Sequence, residues 1–196
     1  GLRSLDDYLA LFSKKYRNRA KSVLKSLSAL ELRQLTLADI RQQEAAIFQL
    51  YEEVFEKARF KLIKLPQDYF SRVKALFPER FTVKGFFLEG RLVAFASSFL
   101  MPDGSIEAHY IGLDYNYNTE YCLYQNILYA MISEGIVNGS SAVNLGRTAA
   151  EIKTTVGARA HDLLQFALEA NDAFLQETTV GFDLRFAGTA HEARAT

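Results

Sequence analysis

The chain has 196 residues and sets 23 lysines and arginines against 23 aspartates and glutamates. Zero net charge excludes a surface that is basic throughout, so nucleic acid is no partner of the whole molecule, although a local basic patch stays compatible with it. Apolar residues make up 49%, which supplies a full core, excludes global disorder and suits one domain.

No apolar run approaches the roughly 20 residues that cross a bilayer, and no secretory leader stands at the start. The single cysteine, Cys122, forms no internal disulfide and reads as an ordinary buried thiol. These features predict a cytoplasmic protein. No His, Cys or carboxylate group has zinc spacing, which speaks against a metal.

Leu5, Tyr8, Leu9, Phe12, Tyr16 and Val23 recur at helical spacing behind Ser4, Asp6 and Asp7, predicting one helix over 5–27. Its second half carries Lys14, Lys15, Arg17, Arg19, Lys21 and Lys25 with no acid between them. Such a run is by default a solvated face; the functional alternatives are a tRNA or nucleotide-diphosphate contact and an anionic-surface contact. Residues 29–36 alternate as a strand, Thr36 and Asp39 open a helix over 37–59, and Pro66 begins another that ends before Pro78.

Strands follow over 81–88, 91–101 and 105–114, turned by Glu89-Gly90 and Pro102-Asp103-Gly104 into an antiparallel meander. An aromatic helix over 119–138 stops at Asn138-Gly139, and its Tyr121, Tyr124 and Tyr129 read as packing. A strand at 142–146, a helix at 148–156 and strands at 159–168 and 180–186 complete the pattern, with a frayed tail at 188–196. The helical crossover makes the strands ending near 114 and 146 parallel neighbours. The fold class is therefore mixed α/β, with a basic helix at 1–28 ahead of one domain at 29–187. Because the chain opens on Gly1 and turns helical almost at once, we expect a fragment with sequence missing upstream.

One stretch carries the strongest chemical signal: Asn144-Leu145-Gly146-Arg147-Thr148-Ala149-Ala150-Glu151-Ile152-Lys153, followed by Gly157-Ala158-Arg159. It places Arg147 at a strand end and Lys153 on the helix behind, beside helix N–H groups suited to a phosphate or carboxylate. Together with Leu11-Phe12-Ser13-Lys14-Lys15-Tyr16-Arg17-Asn18-Arg19-Ala20 and His109-Tyr110-Ile111-Gly112-Leu113-Asp114, it resembles the GNAT acyltransferases, most closely the FemAB/FemX-like and CelD-like branch. The likeness spans residues 5–170.

The resemblance implies a mixed, mostly antiparallel sheet flanked by helices, with two neighbouring strands splayed around an acyl donor. It implies transfer of an acyl or aminoacyl group from acyl-CoA, an acyl carrier or aminoacyl-tRNA to the amine of a small molecule or cell-wall precursor. The glycine-rich segment that binds the coenzyme A diphosphate in typical GNAT enzymes corresponds here to Asp114-Tyr115-Asn116-Tyr117-Asn118-Thr119, which contains no glycine. The tyrosine acid often found after the fifth strand is also missing from 148–156. Those two absences support a rival reading, a binding module that kept the fold and lost the chemistry.

On this resemblance, Arg147 and Lys153 bind anionic groups, with Asn144 and Tyr115 lining the substrate site. Asn116, Asn118 and Thr119 stand at the donor, although turn chemistry is the better explanation of both asparagines. Asp114 either holds the incoming amine or caps a turn. His109 either takes the amine proton or packs under a helix, and Tyr110 walls the cleft or donates a proton. Strict alternation puts Ile106, Ala108, Tyr110 and Gly112 on one face and Glu107, His109, Ile111 and Leu113 on the other, so His109 and Tyr110 share a side only across a bulge.

Overall fold

A computed structural model describes residues 2–58, 61, 63–147, 149–168 and 174–186, with side chains except at 162–168 and 174–179. The elements in chain order are α1 Leu5–Ala10, α2 Lys14–Leu27, β1 Glu31–Gln34, α3 Leu37–Gln42, α4 Glu44–Lys57, α5 Tyr69–Leu76, β2 Phe81–Leu88, β3 Arg91–Leu100, β4 Ile106–Leu113, α6 Tyr115–Tyr121, α7 Leu123–Val137, β5 Ala142–Asn144, α8 Ala150–Thr155, β6 Arg159–Leu168 and β7 Phe174–Arg185. The strands form one seven-stranded sheet in the order β1-β2-β3-β4-β5-β7-β6. Only the β4–β5 pair is parallel among them, as the helical crossover requires.

Three expected helices are each divided in two. The helix at 5–27 breaks where the Arg17 guanidinium donates to Ala10 O (3.1 Å) and Phe12 O (2.8 Å), closing the end of α1. The helix at 37–59 breaks at Gln43, whose backbone leaves the helical region (φ −97, ψ 9). The aromatic helix starts early, because Asp114 caps α6, and kinks at Cys122, which sits in the left-handed region (φ 48). The predicted capping box at Thr36 and Asp39 is present, with both reciprocal hydrogen bonds. The last strand begins earlier than expected, at Phe174, and the expected tail at 188–196 lies outside the described residues.

Helices cover both faces. On one, α1, α2 and α7 bury Tyr8, Leu9, Val23, Ile127 and Met131 against Ile106, Leu113, Val143, Phe182 and Leu184. The N-terminal helices belong to this same cluster, and the Tyr8 hydroxyl donates to Val156 O at 2.6 Å, tying α1 to the end of α8. On the other face, α3, α4 and α5 bury Ile40, Ile47, Leu50, Tyr51 and Phe70 against Phe81, Val83, Phe87 and Phe95. Gly112 is required there: a Cβ would lie 2.3 Å from the Phe95 ring and 2.6 Å from the Leu50 backbone, so α4 rests directly on β4.

Candidate functional site

β4 and β5 pair through just two positions, Ile106 with Val143 and Glu107 with Asn144. Beyond them β4 runs on to Leu113 without β5 beside it. Each strand is bent away by a bulge against its other neighbour. On β4, the register with β3 passes from Ala96–Ile111 to Ser98–Ala108, so His109 and Tyr110 together oppose Ser97. The Ser97 hydroxyl restores the interrupted ladder, donating to Tyr110 O (2.8 Å) and accepting from Tyr110 N–H (3.0 Å). On β5, Leu145 N–H donates to Phe182 O (2.7 Å) while Phe182 N–H donates to Gly146 O (3.2 Å), and Gly146 turns the chain away at φ 76. The result is a notch that opens toward the ends near Asp114 and Gly146.

The bulge corrects the strict alternation. Ile106, Ala108, Ile111 and Leu113 face the α7 cluster, while Tyr110 joins the α4–α5 side with His109. Their rings lie 4.5 Å apart, edge to face. His109 Nε2 is 2.8 Å from the Tyr69 hydroxyl, and Tyr69, Phe81 and Phe99 surround the ring. Burial pushes its pKa down to about 4, so the imidazole is neutral near pH 7. Tyr110 packs edge-on against Tyr51 and Tyr69.

The side chains at the end of β4 are engaged locally. Asp114 is buried; it accepts from Asn116 N–H (3.0 Å) and from the Asn116 amide (2.9 Å), and pairs with Arg91 at 3.0 Å. Tyr115 N–H donates to Glu53 (3.4 Å), and the Tyr115 ring carries Lys57 Nζ 3.4 Å from its centroid. Asn118 accepts from Tyr124 N–H at 3.0 Å, capping α7, and Thr119 lies within α6. These contacts are the turn and cap chemistry weighed for the two asparagines. A small hollow of about 150 Å³, lined by Gln43, Glu53, Arg91 and Asp114 among others, lies beside them.

On the β5 side Arg147 is exposed. Lys153 is not a surface lysine: it is 2% exposed, with Nζ 5.7 Å from the centroid of the Phe182 ring. A Cβ at Gly146 would lie 3.9 Å from that Nζ, so the amine sits beneath the end of β5. Burial pushes its pKa down to about 8.

A further group was hidden from sequence reasoning. Glu107 opposes Asn144, which opposes Asp183, which opposes Arg159, so one row crosses four strands. Glu107, Asn144 and Asp183 each alternate with residues of the α7 cluster and so share the opposite face. Among the described residues, the apolar cluster under α3–α5 takes no member from β5, β6 or β7. The half-buried Glu107 carboxyl is raised in pKa by burial, against the lowering effect of its hydrogen bond with the Asn144 side chain and the nearby His161. The available signal was a carboxylate between Ile106 and Ala108 on a strand expected to meet a parallel partner.

Elsewhere, a groove of about 640 Å³ at the other end of the sheet is lined by Lys84 and Glu134. These two pair at 3.0 Å and are further satisfied by Ala130 O and Ser98, which makes them structural. Among the described residues no group of three or more His, Cys, Asp or Glu is placed to hold a metal ion. No helix among them is long and apolar enough to cross a membrane.

No family model matches the sequence, and no curated protein matches it. Solved structures do. The Escherichia coli ribosomal-protein-S18-alanine N-acetyltransferase matches with a TM-score of 0.58 at 14% identity, over 83% of this chain and 97% of that one. The yncA protein of Salmonella typhimurium, solved with its cofactor acetyl-CoA, gives 0.58 at 14% identity over 85% and 99%. A GNAT-family protein of Chromobacterium violaceum gives 0.56 at 15% identity over 80% and 87%. The mixed sheet and its flanking helices are thus the fold of the GNAT acetyltransferases.

Proposed function

We propose that this chain is an N-acyltransferase that passes an acyl or aminoacyl group from an activated donor to an amine, in the FemX-like or CelD-like manner. The observation that carries the proposal is the two-rung β4–β5 junction with a bulge on either side, in a GNAT fold. An extended donor arm fits the unpaired edge of β4 beyond Glu107.

A coenzyme A diphosphate does not fit the segment 114–119. The amides it needs already donate to carboxylates, Tyr115 to Glu53 and Asn116 to Asp114, and a phosphate there would face both acids. In this reading the donor's anionic part lies across the notch, where Arg147 and Lys153 stand. Asn144 and Tyr115 belong to the rims, and Tyr110 forms the wall.

Glu107 is the base. A carboxyl raised by burial is a stronger base than a free one and so better suited to accept the proton of an alkylammonium. The freed amine attacks the acyl carbon, and the bond from that carbon to sulfur or oxygen breaks. One of the two remaining amine protons leaves with the carrier while the other stays on the amide nitrogen, and Glu107 returns its proton to water. His109 and Asp114 are engaged in packing and capping and take no part in the proton transfer.

Incubation with labelled acetyl-CoA, acyl carrier thioester or charged tRNA and a panel of amines tests the reading by mass spectrometry of products. The expected result is an N-acylated amine; no product with any pair overturns it. Arg147→Ala and Lys153→Ala should each weaken donor binding and turnover, and unchanged values remove both from the site. The binding-module reading is favoured by one observation, the occupied amides at 114–119, and gains if calorimetry detects donor capture without product.

A further inference from the structure

We infer that the half-buried polar row is the acceptor site and that it selects a compact diamine, Glu107 receiving the amine to be acylated and Asp183, with His161 beside it, receiving the second ammonium group. The inference rests on the reading of the notch as a site of acyl transfer.

The register supplies the spacing. Glu107 and Asp183 lie two strands apart on one face with Asn144 between them. Neighbouring strands are about 4.8 Å apart, so the two positions are separated by about 10 Å. Carboxylates reaching inward from both ends leave a gap that a four-carbon diamine spans, its nitrogens being about 6 Å apart by ordinary bond lengths.

Polarity supplies the sign. Within the row Glu107, Asn144 and Asp183 are half-buried whereas its cation, Arg159, is exposed, as is Arg185, two residues along β7 from Asp183. Arg185 holds Asp183 at 3.1 Å but is 81% exposed in its side chain, and such a pair gives way readily to a ligand.

His161 supplies an unmet atom. Its Nδ1 is buried without a hydrogen-bond partner, 3.8 Å from the Asp183 carboxylate. It lies opposite Gly181, so β7 presents no side chain against the ring. Where Nδ1 carries no proton, that nitrogen and the carboxylate offer an ammonium group two acceptors at once.

The test uses the full chain with acetyl-CoA as donor and compares 1,4-diaminobutane with butylamine. The diamine should show a KM at least tenfold lower. His161→Ala and Asp183→Asn should each raise the diamine KM and bring the ratio between the two amines close to one. A merely structural role would raise both KM values together and preserve the ratio. Equal KM values in the unaltered protein overturn the inference. A titration needing no turnover runs beside it: 1,4-diaminobutane should shift the His161 ring resonances, and no shift overturns the site even where acyl transfer is seen. If neither amine is acylated with acetyl-CoA, acyl carrier thioester or charged tRNA as donor, the transferase reading falls, while the ring titration still decides whether a diamine binds.

Discussion

The same face of the same sheet carries two histidines in opposite surroundings. Under α3–α5, His109 is enclosed by Tyr69, Phe81, Phe99 and Tyr110, and its charge is suppressed. Beyond the notch, His161 stands among Glu107, Asp183 and two arginines with an unpartnered nitrogen. Coverage decides the difference. Three helices lie over β2–β4, and desolvation there turns polar groups into packing elements. On β5 and β7 the half-buried Asn144 and Asp183 keep polar partners instead, Glu107 and Arg185, close to where acyl transfer is proposed.

The largest effect should come from the covered half. Phe95→Ala removes a fully buried ring and should cost about 4 kcal/mol in urea denaturation, whereas Asp183→Ala should stay within about 1 kcal/mol. Similar losses at both positions would abolish the distinction. Next, Glu107→Gln should lower kcat on the order of a hundredfold with little change in melting temperature. Full turnover in that variant would assign the proton to another group.

A pH series sharpens the contrast between the histidines. His109 has a folded pKa near 4 against an ordinary value of 6.5, so the unfolded chain binds its proton more readily. Its contribution to stability is complete above about pH 6.5 and is lost as pH falls toward 4. His109→Gln should flatten that decline, and an NMR titration placing His109 at its ordinary value would show that the aromatic enclosure is open to water. The smallest effect is local: Asp114→Ala removes the cap of α6 and should cost about 1 kcal/mol by thermal melting. No loss would mean that α6 holds without its capping carboxylate.

Much of the fold was legible because it rests on local chemistry. The Thr36–Asp39 box, the Glu89-Gly90 turn and the helical crossover into β5 all follow from short-range patterns. The misreadings have non-local causes. The bulge at His109 and Tyr110 depends on Ser97, a residue of the neighbouring strand, so a period-two count along β4 put Tyr110 on the wrong face. The break at Cys122 carries no glycine or proline to announce it. The burial of Lys153 was not legible because the depth of α8 beneath β5 is set by tertiary packing. The Glu107–Asn144–Asp183 row requires the register of three strands, one of which, β7, is out of chain order.

The two-rung junction also has a mechanical consequence. β6 and β7 are joined to each other along their whole length, yet β7 meets β5 at Ala142–Asn144, and β5 holds β4 at two residues. Tension on the outer hairpin would therefore concentrate on one narrow tie, and the sheet should tear there as a single fracture. Amide exchange would record it as a block, with the hairpin detaching while the meander stays shut.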